Sequence, residues 1–152
     1  MKDTAVLTET ILSLIKEKKY QSLRDVLRTL QPVDVAEALG GLDPQELPLV
    51  FRLLPKDEAA ETFAEMDPDS REELIKSFSD SELRDILEEL YIDDTVDLIE
   101  EMPALLVGRI LEQSSAESRK LINELLMYPD DSAGSMMTTE YVGLHAEMTV
   151  GE

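Results

Sequence analysis

The residues in this chain whose type and spacing offer chemistry are carboxylates. Asp93 and Asp97 are four apart, and Asp94 and Asp97 three apart, so on an α-helix all three share one face near its N-terminal turn. Carboxylate oxygen is the natural ligand of a hard cation, and Mg2+ commonly keeps several waters while using one or two protein groups. The chemistry on offer is therefore loose, partly water-mediated cation binding. Spacing alone does not select that reading, because acid clusters on short helices are ordinarily solvated faces or partners of the helix dipole. No EF-hand loop or other dedicated metal motif is present.

The elements that must position these acids come from a twelve-residue pattern. Between Pro55 and Met102 it runs PKDEAAETFAEM, DPDSREELIKSF, SDSELRDILEEL, YIDDTVDLIEEM, and it extends to eight blocks from Gln31 to Leu126. The fifth, eighth, ninth and twelfth residues of each block are spaced i, i+3, i+4, i+7, one stripe of a helix. Of those 32 positions 26 are apolar, against roughly 14 expected from the overall composition. Asp43, Asp67 and Ser79 stand as N-caps, Pro44 and Pro68 at first helical positions, and Glu46 and Glu82 complete capping boxes with Asp43 and Ser79. Gly40-Gly41 closes the first block, where a left-handed C-terminal glycine is expected. Each helix would span about two and a half turns, too short to survive alone in water. The predicted fold is all-α, a right-handed superhelical stack of short helices with an irregular C-terminal tail. Glu61 occupies the same relative part of its block as the aspartates do three repeats later, so the stack can bring both into one concavity.

Two helices precede the repeats. The first is predicted from about Thr4 to Lys18, with Leu7, Ile11, Leu14 and Ile15 on its buried side, and the second from Ser22, which with Asp25 resembles a capping box. After Met127 the period is lost. Tyr128 to Gly134 reads as a turn or linker, followed by an extended tail. Met136 and Met137 are expected to pack in the core or at a junction, and His145, the sole histidine, carries no assigned role.

Composition closes several doors. The net charge of −20 leaves no cationic face for nucleic acid or anionic lipid. Eighteen acids and four bases lie between Pro55 and Met102, a density that opposes compaction and attracts cations. There is no cysteine, hence no disulfide or thiolate metal site. The N-terminus lacks the apolar core of a secretory signal, and no apolar run approaches the roughly 20 residues that span a bilayer. No nucleophile elbow, phosphate loop or histidine pairing supports an enzyme.

The run Tyr128-Pro129-Asp130-Asp131-Ser132-Ala133-Gly134-Ser135-Met136-Met137-Thr138, following twelve-residue helical repeats, resembles the junction of the MgtE family of bacterial magnesium channels and transporters, between a cytosolic N-terminal helical domain and a pair of CBS modules. Gln31 to Glu37 and Phe51 to Pro55 match the family's early repeats, and Ser135-Met136 departs mildly from its usual Gly-Leu. The resemblance implies a helical domain over residues 1–127, a linker over 128–140, and the start of a truncated CBS module over 141–152. It also implies that Asp93, Asp97, Glu61 and Asp94 help hold Mg2+ weakly, partly through water, against CBS modules of the same parent chain. In that arrangement bound Mg2+ closes the modules so as to shut the pore of a transmembrane domain. The parent is expected to be a homodimer, with this segment on the cytoplasmic face of the membrane and not inserted in it. The alternative reading is a helical scaffold for protein–protein interaction.

Overall fold

The repeat register fixes where the helices begin. In the computed structural model, which describes residues 2–129, 131–141, 143 and 148–149, the described residues form ten α-helices and no strand. They are α1 (Lys2–Lys16), α2 (Tyr20–Leu27), α3 (Pro32–Leu39), α4 (Leu47–Phe51), α5 (Lys56–Ala64), α6 (Pro68–Ser77), α7 (Asp80–Glu89), α8 (Ile92–Glu101), α9 (Ala104–Gln113) and α10 (Ala116–Leu125). Seven of the eight blocks start their helix at the second residue, with the first residue extended as N-cap. Asp67 accepts from Ser70 N at 2.9 Å, Ser115 is bonded by Ser118 N at 3.0 Å, and Ser79 and Glu82 form the expected reciprocal box. Three of the described helices thus carry their own side-chain cap, which stops the preceding helix from running on.

The predicted stripe is the core. Val35, Leu39, Val50, Phe63, Leu74, Ile75, Leu83, Leu98, Ile110 and Ile122 are all at most 2% exposed. Of the six polar exceptions at stripe positions, Thr62, Arg71, Thr95 and Ser114 are buried, while Arg119 and Asn123 of the last block are not. The hydroxyls of Thr95 and Ser114 donate to the carbonyls of Tyr91 and Ile110 one turn back, which removes the cost of burying them. Arg71 donates to Glu101, thirty residues on. The three phenylalanines of the chain meet: Phe51 and Phe63 hold the same block position, and their ring centroids lie 6.3 Å apart, with Phe78 at 5.6 Å from Phe51 and 6.3 Å from Phe63.

Stacking proceeds mainly between helices two apart. α1 packs on α3, α3 on α5, α5 on α7 and α7 on α9, while α4 packs on α6 and α8 on α10. From α6 onward the joints are two extended residues, Phe78-Ser79, Leu90-Tyr91, Met102-Pro103 and Ser114-Ser115, which turn each helix sharply into the next. Arginines brace the layers. Arg52 bonds Ser77 O and Glu82, and Arg109 bonds Ile75 O and Phe78 O, both at 2.5 Å, and Asp80 at 3.0 Å. The Glu82 carboxyl is held down to about 2 by the Arg52 guanidinium and by the Ser79 amide.

Four local expectations are corrected. The second helix starts at Tyr20, not Ser22, with no side-chain cap, and Gln21 instead donates to Asp25 within it at 3.2 Å. The cause is the stop of α1. Lys18 takes φ 55°, Lys18 N bonds Ile15 O and Lys19 N bonds Leu14 O, a left-handed termination that leaves the chain ready to coil again at once. Second, Asp43 and Glu46 make no capping box. The Asp43 carbonyl takes the amides of Glu46 and Leu47, and α4 is only five residues long. Pro48 has no amide to give Pro44, so a helix started at Pro44 cannot run through it. Third, Gly40 is right-handed at φ −60°, and no described glycine has a positive φ. These glycines provide room instead: a Cβ on Gly40 would lie 3.1 Å from Asp67 Oδ2, and one on Gly41 3.3 Å from the Thr8 methyl. Fourth, the segment after α10 is not a simple extension. Its turns are closed by Ser132 N to Pro129 O and Ser135 N to Ser132 O, and Glu140 returns to the start of α8. His145 lies outside the described residues, as do Val150 to Glu152.

Candidate functional site: an acidic cleft

Because α5 and α7 stack, the exposed side of α5 faces the joint from which α8 departs. Between them opens a cleft of about 450 Å³, lined by Pro32 and Val33 of α3, Glu61 and Glu65 of α5, Glu89 and Tyr91 at the α7–α8 joint, and Asp94 of α8. Four carboxylates therefore line one concavity. The cleft brings Glu61 and Asp94 together, as the repeat spacing allows. Asp93 and Asp97 are not among its lining residues, though both press on Asp94 electrostatically.

The Asp94 carboxyl is perturbed by its surroundings. Burial, then the charges of Asp93, Asp97 and Glu65, push its carboxyl above the usual range, and Arg71 offsets them only partly. Asp93 has one oxygen, Oδ1, buried without a hydrogen-bond partner. The cluster is thus short of positive charge. Lys56 pairs with Glu89 at 3.2 Å and with Asp85 at 3.6 Å but does not itself line the cleft. Among the described residues no three acidic or histidine side chains converge closely enough to hold a metal ion by themselves.

Glu65 and Glu89 were not foreseen as site residues. Their signal was present: both are the eleventh residue of a block, two blocks apart, and Glu65 follows Glu61 by four on the same face. What the pattern lacked was the rule that alternate helices stack, which turns equal block positions into neighbours.

The raised Asp94 carboxyl gives a signed prediction. A folded-state value above the unfolded one means the charged form costs stability at every pH above the folded value, and the cost disappears as pH falls through it. Asp94→Asn is expected to raise the thermal midpoint at pH 7 and low salt by about 1–3 °C, the scale of a partly exposed charge interaction in a chain of this length. The gain should shrink on acidification and in high salt. A midpoint lowered by the substitution would show that the Asp94 charge is stabilising.

A stack of capped short helices that turns a carboxylate-lined cleft to solvent defines an all-α module of short helical repeats. Residues 30–131 match the intracellular N domain of MgtE, so the chain belongs to the MgtE family. It is 26% identical over 140 residues to the magnesium transporter MgtE of Bacillus subtilis (strain 168), covering 92% of this chain and 31% of that protein. Its fold is similar to the crystal structure of the soluble part of a magnesium transporter, with a TM-score of 0.78, 26% identity, and coverage of 91% of this chain and 55% of that one. It is also similar to the cytosolic domain of the Mg2+ channel MgtE in complex with ATP, with a TM-score of 0.76, 31% identity, and coverage of 89% and 56%. The chain therefore spans about a third of the curated relative and just over half of each solved one. None of its described helices is long and apolar enough to cross a membrane.

Proposed function

We propose that this chain is the magnesium-sensing regulatory domain of an MgtE-family magnesium channel or transporter, placed on the cytoplasmic face of the membrane and closing on CBS modules of the same parent chain. In this reading residues 1–127 are the sensing domain, 128–140 the linker and 141–152 the first residues of a CBS module, within a homodimeric parent. The observation that carries it is the cleft lined together by Glu61, Glu65, Glu89 and Asp94, whose negative charge Lys56 at Glu89 and Arg71 near Asp94 offset only in part. The unpaired Asp93 Oδ1 and the destabilised charge of Asp94 point the same way.

The chemistry fits a hydrated ion better than a stripped one. Mg2+ gives up water reluctantly, and too few acids converge here for an all-protein cage. Asp94 and Glu61 act from the cleft, while Asp93 and Asp97 supply charge from its flank, so the ion is held through water until a second acidic surface completes the shell. At low Mg2+ two acidic faces repel; at high Mg2+ the closed state is selected because it alone holds the bridged ions. In the parent protein, millimolar Mg2+ is expected to compact the cytosolic assembly, read as a falling radius of gyration by small-angle scattering. Combining Glu61→Gln with Asp94→Asn should raise the Mg2+ needed severalfold. An assembly whose size ignores the whole titration would sink the proposal.

A further inference from the structure

α8 is the helix that presents the aspartates, and it lacks a cap of its own. Its N-cap is Tyr91, whose side chain makes no capping bond, yet the first amide of the helix is satisfied: Ile92 N donates to Glu140 Oε2 at 2.7 Å, across 48 residues of sequence. The route is built. After α10 the chain turns through Ser132 and Ser135, and Gly134 lies under the Tyr128 ring, where a Cβ would stand 2.2 Å from Cδ1. Since α10 packs on α8, this turn needs only a few further residues to bring Glu140 to the α8 start. There Glu140 shares the wall of a small cavity, about 150 Å³, with Ile92 and Thr95 of α8 and with Ser114, Ser115 and Ser118 at the α9–α10 joint.

We infer that Glu140 is a latch: it fastens the segment after α10 onto the N-terminal turn of α8, and its hold is set by the charge on that turn. A carboxylate at a helix N-terminus is favoured by the unsatisfied amides there. The same turn already carries Asp93 and Asp94, with Asp97 one turn on, so the added carboxylate is attracted by the amide and repelled by its neighbours. Removing charge from the turn therefore tightens the latch. As a consequence, Glu140 is held beside Tyr91, a wall of the acidic cleft, and not at the end of α10. The placing of Glu140 and the charge on the first turn of α8 are one coupled variable.

The test is amide hydrogen exchange by NMR on this chain in EDTA, so that its outcome is separate from that of the Mg2+ reading. Glu140 is exposed, and its replacement leaves the core intact. In Glu140→Ala the Ile92 amide is expected to exchange at least about tenfold faster, with the Phe63 amide unchanged. Glu140→Gln, which keeps an acceptor oxygen without the charge, should fall between. In Asp94→Asn the Ile92 amide should exchange more slowly than in the parent. Exchange at Ile92 within twofold of the parent in Glu140→Ala, or an equal acceleration at Phe63, would overturn the latch. A rate at Ile92 in Asp94→Asn that equals or exceeds the parent's would overturn its dependence on charge.

Discussion

Phe63→Ala is expected to cost about 3–5 kcal/mol, the range for truncating a fully buried aromatic ring. Phe63 is 1% exposed and touches both other phenylalanines, one from α4 and one from the joint after α6. Its loss empties the point where three successive blocks meet, and short helices cannot close the gap by sliding because each is pinned by its joints. In a chain of this length that corresponds to a fall in thermal midpoint of about 10 °C. Urea denaturation should show a lower midpoint with an unchanged slope. A lowered slope would mean that the stack comes apart in pieces, as linear repeat arrays do when one interface is weakened. A cost below about 1 kcal/mol would contradict the packing described.

Arg109→Ala is expected to cost about 2–3 kcal/mol, although its guanidinium is partly exposed. Arg109 serves three acceptors that no helix can satisfy: the carbonyl of Ile75 in the last turn of α6, the carbonyl of Phe78 at its C-cap, and the Asp80 carboxylate in the first turn of α7. The final carbonyls of a helix need partners from outside it, and removing the arginine leaves two in a part-buried place. Arg109→Lys should recover only part, since a single ammonium cannot span two carbonyls and a carboxylate in the planar manner of a guanidinium. Chemical denaturation measures the loss, and faster amide exchange confined to the α6–α7 joint would locate it. Wild-type stability in Arg109→Ala would show that these contacts are replaceable by water.

The periodic features were legible because they are local. A stripe at i, i+3, i+4, i+7 and a cap every twelfth residue are properties of single helices, and both Asp67 and Ser79 act as their spacing says. The illegible features depend on two segments at once. Gly40 and Gly41 look like helix terminators, yet their absent side chains make room for Asp67 and Thr8. Pro48 falls between the stripe positions Leu47 and Val50, and its missing amide shortens α4. At the site, Glu61 and Asp97 were visible as carboxylates in matching block positions, and Asp94 as the acid one turn before Asp97. That Asp94 faces the cleft while Asp93 and Asp97 flank it follows from the direction in which α8 leaves its joint, and no pattern in one dimension encodes that angle. The bond from Glu140 to Ile92 had no sequence signal beyond the lack of a capping side chain at Tyr91.

The alternation of partners also limits how such a domain can change length. A single block added or deleted between α5 and α9 would break the run α5–α7–α9, setting surfaces shaped for one partner against those of another. Two blocks together, 24 residues, restore the parity and leave each remaining face opposite a counterpart of its own kind. Growth and trimming of this architecture are therefore quantised in pairs, and the acidic cleft, whose walls come from blocks of one row and the start of the next, would be cut in two by any odd step.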